Sequence, residues 1–227
     1  MKDRYIRNEK MLSQQENLSL RGFKVAVVGC GGLGGNIIEM MARLGIGHMT
    51  AIDGDVFEAS NLNRQLLSLP SNLGQPKALA ARERIREVNP DVEVIPVHDF
   101  LTSENAKELL AGHDLIIDAL DNISSRRIVE KTAEELNTPL VFGAIAGWYA
   151  QVCTIFPGDK MMDQLYPEDL NKGEETLLGN PSFTPALAAS LQVAEAVKVL
   201  LGKEKLLRKK LLVINLLDHE YDIIPFE

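Results

Sequence analysis

Residues 23–29 (FKVAVVG) are an apolar run that ends on a glycine-rich loop, Gly29-Cys30-Gly31-Gly32-Leu33-Gly34. The next residues place Leu33, Ile37, Met40, Met41 and Leu44 at helical spacing. Gly45 and Gly47 end that helix, and 48–53 read as a second strand. Strand, tight turn, helix and strand form a βαβ unit, normally parallel and right-handed. Gly29, Gly31 and Gly34 fit G-x-G-x-x-G. The first allows the turn, the second lets a phosphate approach the backbone, and the third lets the helix pack on the strand. A tight turn without a ligand would use the same glycines, and the motif does not separate NAD from ATP.

The remaining pattern extends this unit. Helices are predicted over 76–88, 103–110, 122–136 and 184–201, and strands over 92–97, 114–120, 210–215 and 220–224. Strands at 139–146 and 149–156 meet at Gly147 as a hairpin. The predicted fold class is α/β: a Rossmann-like, doubly wound, mainly parallel sheet with antiparallel strands added in the C-terminal half. Residues 1–20 read as a polar, partly helical arm and 21–227 as a single domain, with a long polar crossover loop at about 157–181.

Composition narrows the partners. With 227 residues and 45% hydrophobic content, the chain can bury a full core. Net charge is -8 with no long basic run, which argues against general nucleic-acid binding or an anionic membrane. Two cysteines, Cys30 and Cys153, make neither a disulfide framework nor a four-cysteine zinc site, and fit a reducing compartment. No apolar run reads as membrane-spanning and no signal-peptide pattern precedes Phe23, so a cytoplasmic location is expected.

The charges behind the loop point to the ligand. Asp53 ends the second strand where a ribose-binding carboxylate belongs. Lys77 falls in the first turn of a helix, where a cation opposes the macrodipole, and Arg126 and Arg127 lie near the start of the next helix. An anion among them would resolve the conflict. In 60–65 (SNLNRQ), Asn61 and Arg64 can donate to phosphate oxygens. Asp121 and Asn122 follow an apolar strand at the sheet edge where ligands bind, and Asp121 can hold a hydrated Mg²⁺. Each has a plainer reading. Lys77 can be a solvated lysine, Ser60 or Asn61 a turn cap, and Asp121 the N-cap of its helix. Together they favour a bound nucleoside triphosphate.

The set GCGGLG at Gly29, DGDxxxxSNLNRQ from Asp53, GQPK ending at Lys77 and DALDN ending at Asn122 resembles the ubiquitin-activating-like adenylyltransferases, the ThiF, MoeB and HesA group. Arg4-Tyr5-Ile6-Arg7 is similar to that family's RYxR segment. The resemblance implies a homodimer that uses ATP and Mg²⁺ to adenylate the C-terminal carboxylate of a small ubiquitin-like protein ending in Gly-Gly, often a sulfur carrier. It implies a nucleotide site drawn from Gly29, Gly31, Gly32, Leu33, Gly34, Asp53, Asp55, Asn61, Arg64, Gln65, Lys77, Asp121 and Asn122. It also implies catalytic roles for Arg64, Lys77 and Asp121, with Mg²⁺ on Asp121 and Arg7 acting in trans.

This chain departs from many relatives by lacking CxxC pairs for zinc and any cysteine in 157–181. Adenylation is therefore expected to be the whole reaction, with sulfur delivered by another protein. A C-terminal carboxylate is ionised at pH 7, so no general base is required, and His48, His98, His113 and His219 take no role. The rival readings are an NAD-dependent oxidoreductase, a non-catalytic scaffold subunit, and a tRNA-modifying member of the same family.

Overall fold

The computed structural model describes residues 3–166 and 178–226. In chain order the elements are α1 (Gln14–Ser19), β1 (Lys24–Val28), α2 (Gly32–Leu44), β2 (His48–Ile52), α3 (Lys77–Val88), β3 (Glu93–Val97), α4 (Ala106–Leu110), β4 (Leu115–Asp118) and α5 (Ile123–Glu135). Then follow β5 (Leu140–Ala146), β6 (Tyr149–Ile155), α6 (Met161–Leu165), α7 (Phe183–Leu200), β7 (Lys210–Asn215) and β8 (Glu220–Pro225).

One eight-stranded sheet runs β3-β2-β1-β4-β5-β6-β7-β8. The strands from β3 to β5 pair in parallel, and β6, β7 and β8 add antiparallel. Strand order reverses direction at β1, between β2 and β4, so the C-terminal ends of β1 and β4 frame a crevice. β4 is buried at every position and β1 at all but Lys24, as expected of parallel strands covered on both faces. One apolar cluster joins the sheet to α2, α3 and α7; a second lies on the other face with α4, α5 and α6.

Three elements differ from the sequence reading. Met161–Leu165 forms α6 inside the stretch read as a loop, because Met161 and Met162 are fully buried and Glu130 of α5 accepts from both of their amides. The rest of that predicted loop, 167–177, lies outside the described residues. α7 is long and apolar enough to span a membrane, unlike the sequence reading, but half of it is buried inside the core. The arm, read as polar, is pinned to the body by Tyr5, Leu12 and Leu20, all buried. Tyr5 lies against Gly45 at the C-terminal end of α2, and its hydroxyl accepts from Asn89 Nδ2 at 2.7 Å.

Removing the ring should therefore release the arm. Tyr5→Ala is expected to lower the unfolding free energy by about 3 kcal/mol, against about 1 kcal/mol for Tyr5→Phe, which loses only the hydrogen bond. Urea titration of the three proteins measures the difference.

Candidate active site

The glycine loop lies where β1 meets β4 with no room for side chains. A Cβ on Gly29, whose φ is +99°, would stand 2.5 Å from the Ala119 carbonyl oxygen. One on Gly34 would stand 1.8 Å from the Gly29 carbonyl oxygen. Gly31 precedes α2 with no side-chain cap, so the first amides of the helix face the crevice unprotected. That is an anion site by construction.

Asp53 braces the loop. Its carboxylate accepts from the Cys30 amide at 2.7 Å and the Asp55 amide at 2.8 Å. Burial raises its pKa, opposed by the nearby Lys77 ammonium and by the two amides. Each oxygen keeps a lone pair for a ribose hydroxyl. Lys77 is 6% exposed, with Nζ on Asp55 Oδ2 at 2.9 Å and its amide on the Asp55 carbonyl at 3.0 Å. The buried cation thus has one exposed carboxylate as partner and sits at the unfavourable end of α3.

The segment after β2 supplies the opposite wall. Arg64 is half-buried and its Nη1 donates to the Ser60 carbonyl and to Asn63 Oδ1, at 3.0 and 2.9 Å. Gln65 is buried against Gly31, and its Oε1 has no partner. Asn61 is not brought to the wall. Its Oδ1 accepts from the Glu58 amide and its carbonyl from the Arg64 and Gln65 amides, so it builds the turn that aims its neighbours.

Asp121 stands exposed at the end of β4, with Asn122 Nδ2 at 3.5 Å from its Oδ1. Asn122, and not Asp121, is the N-cap of α5, accepting from the Ser125 amide at 2.9 Å. The Asp121 carboxylate is therefore left over for a ligand. Among the described residues no three metal-ligating side chains cluster. One carboxylate completed by phosphates and water is the way Mg²⁺ commonly binds.

Gly29, Gly31, Gly32, Leu33, Asp53, Asp55, Arg64, Gln65, Lys77, Asp121 and Asn122 all line one open cleft. Gly34 lies behind the loop as a packing residue, and Arg7 is exposed on the N-terminal arm and does not line the cleft. The structure adds residues that the sequence reading left unassigned. Phe100, 61% exposed, covers Gly54 and with Leu101 makes an apolar wall next to Asp53. Asn180 presents an unpartnered Oδ1. Arg126 of α5 lines the cleft although it is 5% exposed. The only forewarning of Arg126 was its position near a helix start.

Residues 4–227 match the model of the ThiF family. The chain belongs to the ThiF family. It is 33% identical over 229 residues to the SAMP-activating enzyme E1 of Haloferax volcanii, covering 99% of this chain and 85% of that protein. It is 37% identical over 212 residues to the sulfur carrier protein adenylyltransferase of Thermus thermophilus, covering 89% and 78%. Among solved structures, MccB of E. coli with ATP superposes with a TM-score of 0.84 at 20% identity, over 100% of this chain and 71% of that one. The tRNA N6-threonylcarbamoyladenosine dehydratase of E. coli gives 0.75 at 26% identity, over 88% and 94%. These likenesses place the mixed sheet and its cleft in one architecture, and the family replaces the NAD-dependent reading.

Both thiols are fully buried. Burial pushes the Cys30 thiol well up, with the Asp53 carboxylate adding to it, and burial likewise pushes up Cys153, helped by Glu130. Neither is poised as a nucleophile at neutral pH. In the native protein, Ellman's reagent is expected to find no rapidly reacting thiol, and two after denaturation. A fast native equivalent would show that one thiol is accessible.

Proposed function

We propose that this ThiF-family adenylyltransferase uses ATP to activate the C-terminal carboxylate of a ubiquitin-like sulfur-carrier protein ending in Gly-Gly, releasing pyrophosphate. One observation carries the reading: the uncapped N-terminus of α2, Lys77, Arg64 and Asp121 converge on a single cleft. The family and the sulfur-carrier relatives support the acceptor class.

The chemistry needs little beyond charge control. One carboxylate oxygen of the acceptor attacks the α-phosphorus, the bond to the pyrophosphate oxygen breaks, and no proton moves. The obstacle is repulsion between the acceptor anion and the triphosphate. The Gly32 and Leu33 amides, Lys77 and Arg64 neutralise the phosphates and stabilise the charge that develops on them. Mg²⁺ on Asp121 would add a Lewis acid at the same oxygens. Asp53 orients the ribose, and Phe100 and Leu101 exclude water from the base. Gln65 Oε1 and Asn180 Oδ1, two acceptors without partners, are placed for metal-bound water or the amides of an incoming peptide tail.

Arg7 acts in trans across a homodimer. Arg4 reaches the Val88 carbonyl and Asn8 the Leu44 carbonyl, so the arm is docked at the C-terminal ends of α3 and α2. α2 has 13 residues, so the arm is about 20 Å from the glycine loop at the other end. Arg7 cannot serve its own cleft from there. The acidic chain, with no long basic run in its sequence, fits a protein acceptor better than tRNA, and the retained cations argue against a scaffold subunit. Buried thiols fit a separate sulfur donor and a reducing, cytoplasmic setting.

Pyrophosphate exchange into ATP should appear only with the acceptor present. Lys77→Ala and Arg64→Ala should each lower it by roughly 10²-fold or more. Exchange at background with a verified acceptor would refute adenylation; exchange driven by tRNA would move the acceptor. Cys153→Ala should leave adenylation intact.

Mixing Arg7→Ala with Asp121→Ala, each inactive alone, should restore activity, since a mixed dimer holds one site with both residues. Random pairing caps recovery at about a quarter of wild type. No recovery despite demonstrated subunit exchange would exclude action in trans.

A further inference from the structure

Asp121 has the freedom of an exposed side chain, yet a carboxylate that meets a metal and phosphates must stand in one place. The peptide groups leading to it are fixed one by one. The Ala119 amide donates to the Val28 carbonyl at 2.9 Å, tying the segment to β1. The Asp118 carbonyl accepts from Gln192 Nε2 of α7 at 2.7 Å. The Leu120 amide donates to Asp118 Oδ1 at 2.9 Å. The Leu120 carbonyl, the last before Asp121, accepts from Arg126 Nη2.

Arg126 is an unusual choice for that task. Its side chain is 6% exposed, and its Nε lies 4.0 Å from Asp118 Oδ2, on a side chain with no exposure at all. The guanidinium stacks over the buried Phe142 ring at 4.9 Å, and Nη1 reaches the Tyr166 hydroxyl at 3.5 Å. A buried ion pair is often no more stabilising than apolar side chains of similar volume. A methionine could pack on Phe142, but it could not hold the Leu120 carbonyl or answer the Asp118 charge.

We propose that Arg126 is a positioning residue for the metal carboxylate: it holds the Leu120 carbonyl while the Asp118 carboxylate holds the Leu120 amide and Gln192 the Asp118 carbonyl, and so fixes where Asp121 points. This rests on the reading of Asp121 as the Mg²⁺ ligand of an ATP site. Arg126 acts through the turn, not on the phosphates.

The test measures metal and nucleotide binding apart from turnover. Mn²⁺ serves as the probe, titrated by electron paramagnetic resonance into protein saturated with α,β-methylene ATP. Calorimetry in EDTA gives the metal-free affinity for the same analogue, and thermal melting checks folding. Arg126→Met should weaken Mn²⁺ binding roughly 10-fold or more, the usual effect of removing a group that orients a ligand. Metal-free nucleotide affinity should stay within about twofold of wild type, because the guanidinium holds the turn and not the phosphates. Arg126→Lys, which keeps the charge but loses the fork, should weaken the metal less and equally selectively. It decides the matter if Arg126→Met does not fold. Tyr166→Phe, which removes the hydroxyl that Arg126 Nη1 reaches, should change neither affinity.

Unchanged Mn²⁺ binding in a folded Arg126 variant overturns the proposal. So does an equal loss of metal-free nucleotide binding, which would put Arg126 on the phosphates. An effect reproduced by Tyr166→Phe overturns it too, since Arg126 would then act through α6. A wild-type protein that binds no nucleotide brings down the adenylation reading itself, a result distinct from all three.

Discussion

The contact on which the rest depends is the one between the glycine loop and the end of β4. Gly34 lies against Gly29, and Gly29 against Ala119, closer than any side chain allows. That approach brings the N-terminus of α2 beside the turn that carries Asp121. The cleft between the two cannot keep this width if its walls are spread by a methyl group. The Asp53 carboxylate completes the arrangement by holding the Cys30 amide inside the loop and the Asp55 amide outside it. The glycines and this aspartate thus turn a tight packing contact into a site with a fixed width.

Electrostatics explains why the site sits in an acidic chain of net charge -8 without being repelled by an anionic ligand. The cations that line the cleft are few, and Lys77 and Arg126 are buried. Lys77 is buried beside a single carboxylate, and Arg64 is turned onto a carbonyl and an amide oxygen, neither of them charged. A cation in a low-dielectric wall acts on phosphate far more strongly than one on the surface.

Much of this was legible before the fold was known, for identifiable reasons. The buried strands β1 and β4 show as short apolar runs, and the glycine spacing announces the turn between strand and helix. Arg64, Lys77 and Asp121 stood out because each follows an element whose end could be placed. Asn61 did not go where it was expected, because a short polar side chain after a strand can cap a turn as well as bind a ligand. Tyr5 was hidden in a mostly polar segment whose scattered apolar residues follow no clear period. α6 was hidden because its N-cap comes from Glu130 on another element, a partner no local pattern reveals. Phe100 looked like an ordinary apolar residue in a loop, and only the Gly54 surface beneath it shows that it borders the cleft.

The parts that escaped the sequence converge on α5. Asn122 caps it, Arg126 turns back to the Leu120 carbonyl, and Arg127 and Glu130 hold α6 through Asp163, the Tyr166 carbonyl and the Met161 amide. One helix therefore fixes the turn that carries Asp121 at its start and, a turn later, the root of the chain that leads away from β6. Neither job can be read from helical periodicity, since Arg126, Arg127 and Glu130 look like ordinary polar residues until their partners are known. The same helix explains why Cys153 is silent. Its thiol is packed in the apolar layer beneath α5 and shares that layer with Glu130 and Asp118, whose negative charges oppose a thiolate. The packing that steadies the turn before α5 thus also keeps the Cys153 thiol buried and protonated.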